Sequence, residues 1–123
     1  MAAGVVVERD RQVLLLERAT NPGRGKLTFP GGYVDRGERV EDAAVRETAE
    51  EVGMTVATGA LLGVYSATGN PVVLVVFHAT VIAGEPHTTA EASAVAWYAA
   101  DALPWEQLAF PSTAAALRDW LGD

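Results

Sequence analysis

Two apolar runs near the N-terminus constrain the fold more than any other feature of the chain. Residues 4–7 read GVVV and residues 13–16 read VLLL, and a polar tetrapeptide at 9–12 separates them. A strand with one solvated face alternates apolar and polar residues, whereas an unbroken apolar run indicates a strand covered on both faces. The two runs therefore predict a β-hairpin inside a layered molecule.

The rest of the chain mixes strand-like and helical patterns. We predict strands at residues 27–29, 54–65, 71–83 and 94–98, and helices at about residues 39–52 and 112–121. Gly53 is expected to end the first helix in a left-handed conformation, and Ser112 to cap the start of the second. Strands combined with two helices predict an α/β (α+β) sandwich, with residues 1–123 forming one domain.

Charge and composition exclude several functional classes. Sixteen acids against nine bases give a net charge of −7, and no basic stripe is present, so nucleic-acid binding is not expected. No apolar run is long enough to span a bilayer, and no membrane association is expected. The chain has no cysteine, which fits a reducing cytoplasm, the predicted location. For an acidic protein to bind a phosphorylated ligand, a divalent cation is the obvious mediator.

The first predicted helix carries a cluster of carboxylates. Glu47, Glu50 and Glu51 lie within about 100° of one another on a helical projection, on a face directed away from the small and apolar stripe that includes Thr48. Like charges four residues apart and acids near a helix C-terminus are each slightly destabilising, an effect that Arg46 offsets in part. A bound hard cation would reverse the sign of that effect. Charge alone leaves open both a solvated acidic face and a metal site.

The spacing of charged and glycine residues around this helix carries a family resemblance. Residues 32–54 resemble the signature of the Nudix hydrolases, in which Gly is followed at fixed intervals by Glu, Arg-Glu, Glu-Glu and Gly. The matching residues are Gly32, Glu38, Arg46, Glu47, Glu50, Glu51 and Gly53. Thr48 stands where an aliphatic residue is usual, and its methyl group can still pack on the core.

The resemblance implies an α/β/α sandwich with a mixed β-sheet and a metal-dependent hydrolase that uses Mg²⁺, with Mn²⁺ as an alternative. By the same resemblance, Glu47 and Glu51 are expected to ligate the metal directly. Glu50 is expected either to ligate it or to position the attacking water. The backbone carbonyl of Gly31 is expected to complete the metal shell.

Further roles follow from the same resemblance. Arg46 is expected to orient the carboxylates and Glu38 to pair with it. A further acid, acting as base or metal ligand, is expected from a loop outside the signature. Glu91, six residues before Trp97, is the preferred candidate, and Glu85 is its competitor.

Substrate contacts are expected from residues outside the acidic helix. Arg18, at the end of the second strand, resembles the basic residue that many relatives direct at the substrate phosphates. Phe29 and Tyr33 are candidate stacking platforms for a base or sugar, together with Phe77 and Phe110. Leu27 stands where relatives often carry tryptophan.

The expected reaction is hydrolysis of a pyrophosphate bond in a nucleoside diphosphate linked to another moiety, with ADP-ribose or an NADH-like dinucleotide as the favoured small-molecule substrate. Two alternatives stay open. One is a sanitising hydrolase of damaged nucleoside triphosphates, and the other is a non-catalytic nucleotide-sensing module. The sequence is also compatible with a homodimer.

Overall fold

The computed structural model describes residues 1–122. In chain order the elements are β1 (Ala2–Arg9), β2 (Gln12–Arg18), β3 (Leu27–Thr28), β4 (Gly31–Tyr33), α1 (Val40–Val52), β5 (Thr55–Tyr65), β6 (Leu74–Ala83), β7 (Ala92–Ala99) and α2 (Pro111–Gly122). Two short 3₁₀ turns, Ala100–Ala102 and Trp105–Gln107, precede α2. No helix within this described part of the chain is long and apolar enough to cross a membrane.

Strand β1 lies at the centre of the sheet. It pairs antiparallel with β2 and β4 and parallel with β6, while β6 pairs antiparallel with β5. Strand β2 continues the sheet through antiparallel pairing with β3 and β7. The parallel β1–β6 pair makes the sheet mixed, which confirms the expected fold class.

The unbroken apolar runs are explained by two cores, one on each side of the sheet. Successive strand residues point to opposite faces. Val5 and Val7 therefore join the core that includes residues of α1, whereas Val6 joins the core that includes residues of α2, and all three are fully buried. In β2 the same alternation directs Leu14 and Leu16 to the first core and Val13 and Leu15 to the second. The prediction of doubly covered strands is confirmed.

The turn between β1 and β2 forms where the polar tetrapeptide predicts it. Asp10 and Arg11 both adopt positive φ values, 53° and 62°, and Arg9 pairs with Gln12 across the turn. Two consecutive left-handed residues give a hairpin whose twist matches that of the flanking strands.

Two local predictions were wrong. Strand β4 was not predicted, because a Pro-Gly-Gly sequence is typical of loops, yet residues 31–33 pair with residues 2–4 of β1. Helix α2 begins at Pro111, so Ser112 lies inside the helix and is not its N-cap. Proline is well suited to the first helical position, because its missing N–H has no partner there in any case.

Candidate metal and substrate site

Three carboxylates converge at one end of α1. Glu47 and Glu51 lie one helical turn apart, and Glu91 lies just before β7. One oxygen from each carboxylate lies within 4.8 Å of the others. The structure thus brings together two acids that are close in sequence with a third from forty residues further along the chain.

Glu51 is the buried member of this group, with a relative exposure of 6%. Its Oε1 accepts a 2.8 Å hydrogen bond from the backbone N–H of Gly31 in β4. Burial raises the pKa of Glu51 to about 8, because the charged form loses its hydration. The expectation that all three helix glutamates face away from Thr48 is wrong for Glu51, which is buried as Thr48 is. The reason is that Glu51 lies under β4 and the loop that carries Glu91.

Glu47 is close to the backbone of β4. Its side chain is 15% exposed, and burial raises its pKa, against the opposing effect of the neighbouring Arg46. A Cβ atom on Gly32 would overlap the Glu47 carboxylate. Glycine at residue 32 is therefore required for this carboxylate to occupy its position.

Arg46 holds the polar side of α1 together. Its Nε and Nη2 bind both oxygens of Glu38 at 2.8 and 3.0 Å, and Nη2 also donates to the carbonyl of Tyr33 at 3.0 Å. Its Nη1 contacts Glu47 at 3.0 Å and Glu50 at 3.3 Å. The guanidinium keeps the pKa of Glu38 below its ordinary value. Glu50 is thus held by Arg46 beside the three-carboxylate group, and its side chain is half exposed.

The two loop acids proposed from the sequence have different surroundings. Glu85 forms an ion pair with Arg9 at 3.1 Å and is not a member of the carboxylate group. Glu91 joins Glu47 and Glu51.

A cavity of about 690 Å³ opens beside the carboxylates. Gly31 and Gly32 form part of its wall, so the cavity and the acidic group share the backbone of β4. Four of the five residues predicted to contact substrate line it: Arg18, Phe29, Tyr33 and Phe110. Phe77, in contrast, packs against the core beneath α1 and does not line the cavity.

Arg18 lines the cavity and is close enough to Glu51 to act on its charge. Its Nε donates a 2.6 Å hydrogen bond to the carbonyl of Pro22, and its guanidinium carbon lies 5.2 Å from the ring centroid of Phe110. Its positive charge acts to lower the pKa of Glu51, although burial outweighs that effect. A fixed guanidinium in this place is suited to bind phosphate oxygens.

Part of the cavity wall was not found from the sequence. Val64, Tyr65, Asn70 and Leu74 come from the end of β5, the following turn and the start of β6. The Tyr65 hydroxyl donates to Asp119 of α2 at 2.7 Å. In the sequence these residues have the pattern of an ordinary strand and turn. They line the cavity only because α2 packs against β5.

Comparison with known proteins is consistent with this arrangement. Residues 1–121 match the family model described as NUDIX domain. The ADP-ribose pyrophosphatase of Methanocaldococcus jannaschii is 38% identical over 114 residues, which are 89% of this chain and 66% of that protein. The 8-oxo-dGTP diphosphatase of Escherichia coli is 39% identical over 56 residues, 45% of this chain and 43% of that protein. The chain thus spans less than two thirds of the length of these curated relatives.

Among solved structures, a NUDIX hydrolase from Nitrosomonas europaea superposes with a TM-score of 0.93 at 30% sequence identity. The match covers 98% of this chain and 69% of that one.

Proposed function

Because the chain belongs to the NUDIX domain family, we propose that it is a magnesium-dependent pyrophosphohydrolase of nucleoside-diphosphate-linked substrates. One observation carries the proposal. The group formed by Glu47, Glu51 and Glu91 lies beside a substrate-sized cavity, and the two share the backbone at Gly31 and Gly32. A diphosphate held at this junction would meet the carboxylates while the attached nucleoside occupies the cavity.

The residues fit a divalent cation. Mg²⁺ takes oxygen ligands, and three carboxylate oxygens from two elements lie within 4.8 Å of one another. The buried carboxylate of Glu51 receives one neutral N–H donor, from Gly31, and is therefore poorly compensated when it is ionised. Glu47, Glu51 and Glu91 would hold the ion, with the carbonyl of Gly31 as an expected fourth ligand.

Bound Mg²⁺ would supply charge neutralisation for the pyrophosphate and acidify an attacking water. The chain's own part is to place and hold the reactants. Arg18 is positioned to bind phosphate oxygens, and a carboxylate of the acidic group accepts the proton of the water. Arg46 and Glu38 keep Glu47 and Glu50 in fixed positions. Glu50 has two roles open to it, metal ligand or positioning of the water.

The substrate assignment to ADP-ribose or an NADH-like dinucleotide is supported by two points. The cavity volume lies within the roughly 300–1,000 Å³ range of small-molecule sites, and the exposed ring of Tyr33 offers aromatic surface for a base or sugar, whereas Phe29 is 4% exposed and packs in the core beside α2. The relative from Methanocaldococcus jannaschii, matched over most of this chain, is named for ADP-ribose.

A second candidate is hydrolysis of damaged nucleoside triphosphates. It is supported by the match to the Escherichia coli 8-oxo-dGTP diphosphatase, which extends over about half of this chain. Both candidates share the metal site and the phosphate contact at Arg18. They differ in the group that would occupy the cavity.

A substrate screen tests the proposal. Product formation from ADP-ribose, NADH and 8-oxo-dGTP is measured by chromatography, with Mg²⁺ and with an excess of chelator. We expect ADP-ribose or NADH to be cleaved and chelator to abolish the reaction. Preference for 8-oxo-dGTP would select the second candidate. Binding without turnover of any compound would contradict hydrolysis and favour a sensing module.

A further inference from the structure

The loop at residues 84–91 is docked on the C-terminal end of α1. The last four carbonyls of an α-helix have no partner within the helix. In α1, the carbonyl of Ala49 accepts from the N–H of Gly53, and that of Val52 accepts from the N–H of His87 at 2.9 Å. The carbonyl of Glu51 accepts from the side-chain hydroxyl of Thr89 at 2.7 Å. Two of these three bonds come from the loop that carries Glu91.

The hydroxyl of Thr89 makes a second contact. Its Oγ1 lies 3.2 Å from the backbone N–H of Glu91 and accepts a hydrogen bond from it. A hydroxyl has one proton to donate and two lone pairs, so it can serve both partners at once. One side chain therefore joins the backbone of Glu51 to the backbone of Glu91.

This link matters because the carboxylates it brings together repel one another. Ionised carboxylates within 4.8 Å of one another repel, and this repulsion favours a loop that moves away from the helix. Elsewhere the loop is held by the ion pair of Glu85 with Arg9, by reciprocal backbone hydrogen bonds between Thr89 and Ala92, and by the N–H of Ala19, which donates to the carbonyl of Glu91 at 3.1 Å. The hydroxyl of Thr89 is the contact that ties the backbone of Glu91 to the helix carrying the other two acids.

We propose that Thr89 is a positioning residue, which holds Glu91 against Glu47 and Glu51 and thereby sets the affinity of this site for a divalent cation. The proposal rests on the metal site put forward above. The competing explanation is that Thr89 only caps the C-terminus of α1. A cap alone would lower stability and leave the affinity of the folded protein for the cation unchanged.

The test is direct measurement of Mn²⁺ binding to metal-free protein, by electron paramagnetic resonance of the free ion. Thr89→Val removes the hydroxyl and keeps the shape, and Thr89→Ser keeps the hydroxyl. Thr88→Val, at the neighbouring exposed threonine, is the matched control. Each is also made in a Glu91→Gln background.

We expect Thr89→Val to weaken Mn²⁺ binding about tenfold, the scale on which residues supporting metal ligands act. Thr89→Ser and Thr88→Val should stay within about twofold of the wild type, because neither loses the bridging hydroxyl. In the Glu91→Gln background, Thr89→Val should weaken Mn²⁺ binding little further, since Glu91, through which Thr89 acts, is already altered.

Two other results separate failure of this proposal from failure of the metal site. If Glu91→Gln binds Mn²⁺ as the wild type does, Glu91 is not a metal ligand. The assignment of Glu91 to the metal site and the positioning role of Thr89 are then both wrong. If Glu91→Gln weakens binding but Thr89→Val does not, or if their effects are additive, only the positioning role is wrong. Should Thr89→Val fail to fold, Thr89→Cys, a weak donor of similar size, replaces it in every comparison.

Discussion

The position of the Glu47 carboxylate depends on Gly32, because a Cβ atom at residue 32 would overlap it. The glycine lies in β4 and the glutamate in α1. Because residue 32 has no side chain, the carboxylate of Glu47 can pack against the strand backbone and lie beside Glu51 and Glu91. The first glycine of the sequence signature is thus explained by space for a side chain from a different element.

Gly32→Ala is expected to displace Glu47 and to lower kcat/KM on the order of 100-fold, since small misplacements of reacting groups have effects of that size. Gly59→Ala is the control, because a Cβ there would make only an ordinary contact, 3.6 Å from the carbonyl of His78. Steady-state kinetics on both variants checks this. Equal activities for the two would show that Glu47 can move without consequence.

Glu51→Gln should fold and lose at least ~100-fold in kcat, the scale of removing a main electrostatic stabiliser. The amide keeps the shape of the buried side chain but removes its negative charge. Glu106→Gln, at an exposed acid far along the chain, is the control. Circular dichroism establishes folding and single-turnover rates measure the chemistry. Near-normal rates in Glu51→Gln would remove this residue from the metal shell.

Stability without metal should fall as the pH rises from about 4.5 to about 8. Burial raises the pKa of Glu51 from 4.5 to about 8, so between those values the folded protein binds more protons than the unfolded chain does. The raised pKa of Glu47 acts in the same direction. Thermal denaturation in chelator across this pH range should show a falling Tm, and Glu51→Gln should show a flatter profile. Parallel profiles would contradict the assignment of this dependence to Glu51.

Arg46→Lys should lower both Mn²⁺ affinity and kcat/KM about tenfold, although the charge is conserved. Lysine cannot reproduce the planar fork that binds both oxygens of Glu38 and also contacts Glu47. Arg39→Lys, in an exposed pair with Glu41, is the control. Full activity in Arg46→Lys would mean that charge alone, without the fork geometry, orients the carboxylates.

Arg18→Gln should raise KM roughly tenfold and leave Mn²⁺ affinity little changed, since the guanidinium is proposed to bind phosphate oxygens and not the cation. Arg24→Gln, an exposed arginine of the adjacent loop, is the matched control. Titration with substrate and with Mn²⁺ measures the two effects separately. A loss of Mn²⁺ affinity without a change in KM would contradict the proposed role of Arg18 in binding phosphate oxygens.

The sequence by itself determined the features that depend on local spacing. A helical repeat places Glu47 and Glu51 one turn apart whatever surrounds them, and Gly53 adopts a φ of 74° at the helix end, as a left-handed C-terminal residue requires. The unbroken apolar runs of β1 and β2 likewise required cover on both faces of a sheet. Fold class and family followed from these patterns.

Tertiary structure alone decided which distant groups meet. It placed Glu91 with the helix acids and left Glu85 paired with Arg9, a choice that depends on the docking of residues 84–91 on α1. It also buried Glu51 beneath β4, where the helical projection had directed it toward solvent. The physical reason is common to these cases. Periodicity fixes the direction of a side chain relative to its own element, whereas burial, pKa and long-range contacts depend on which other elements pack against it.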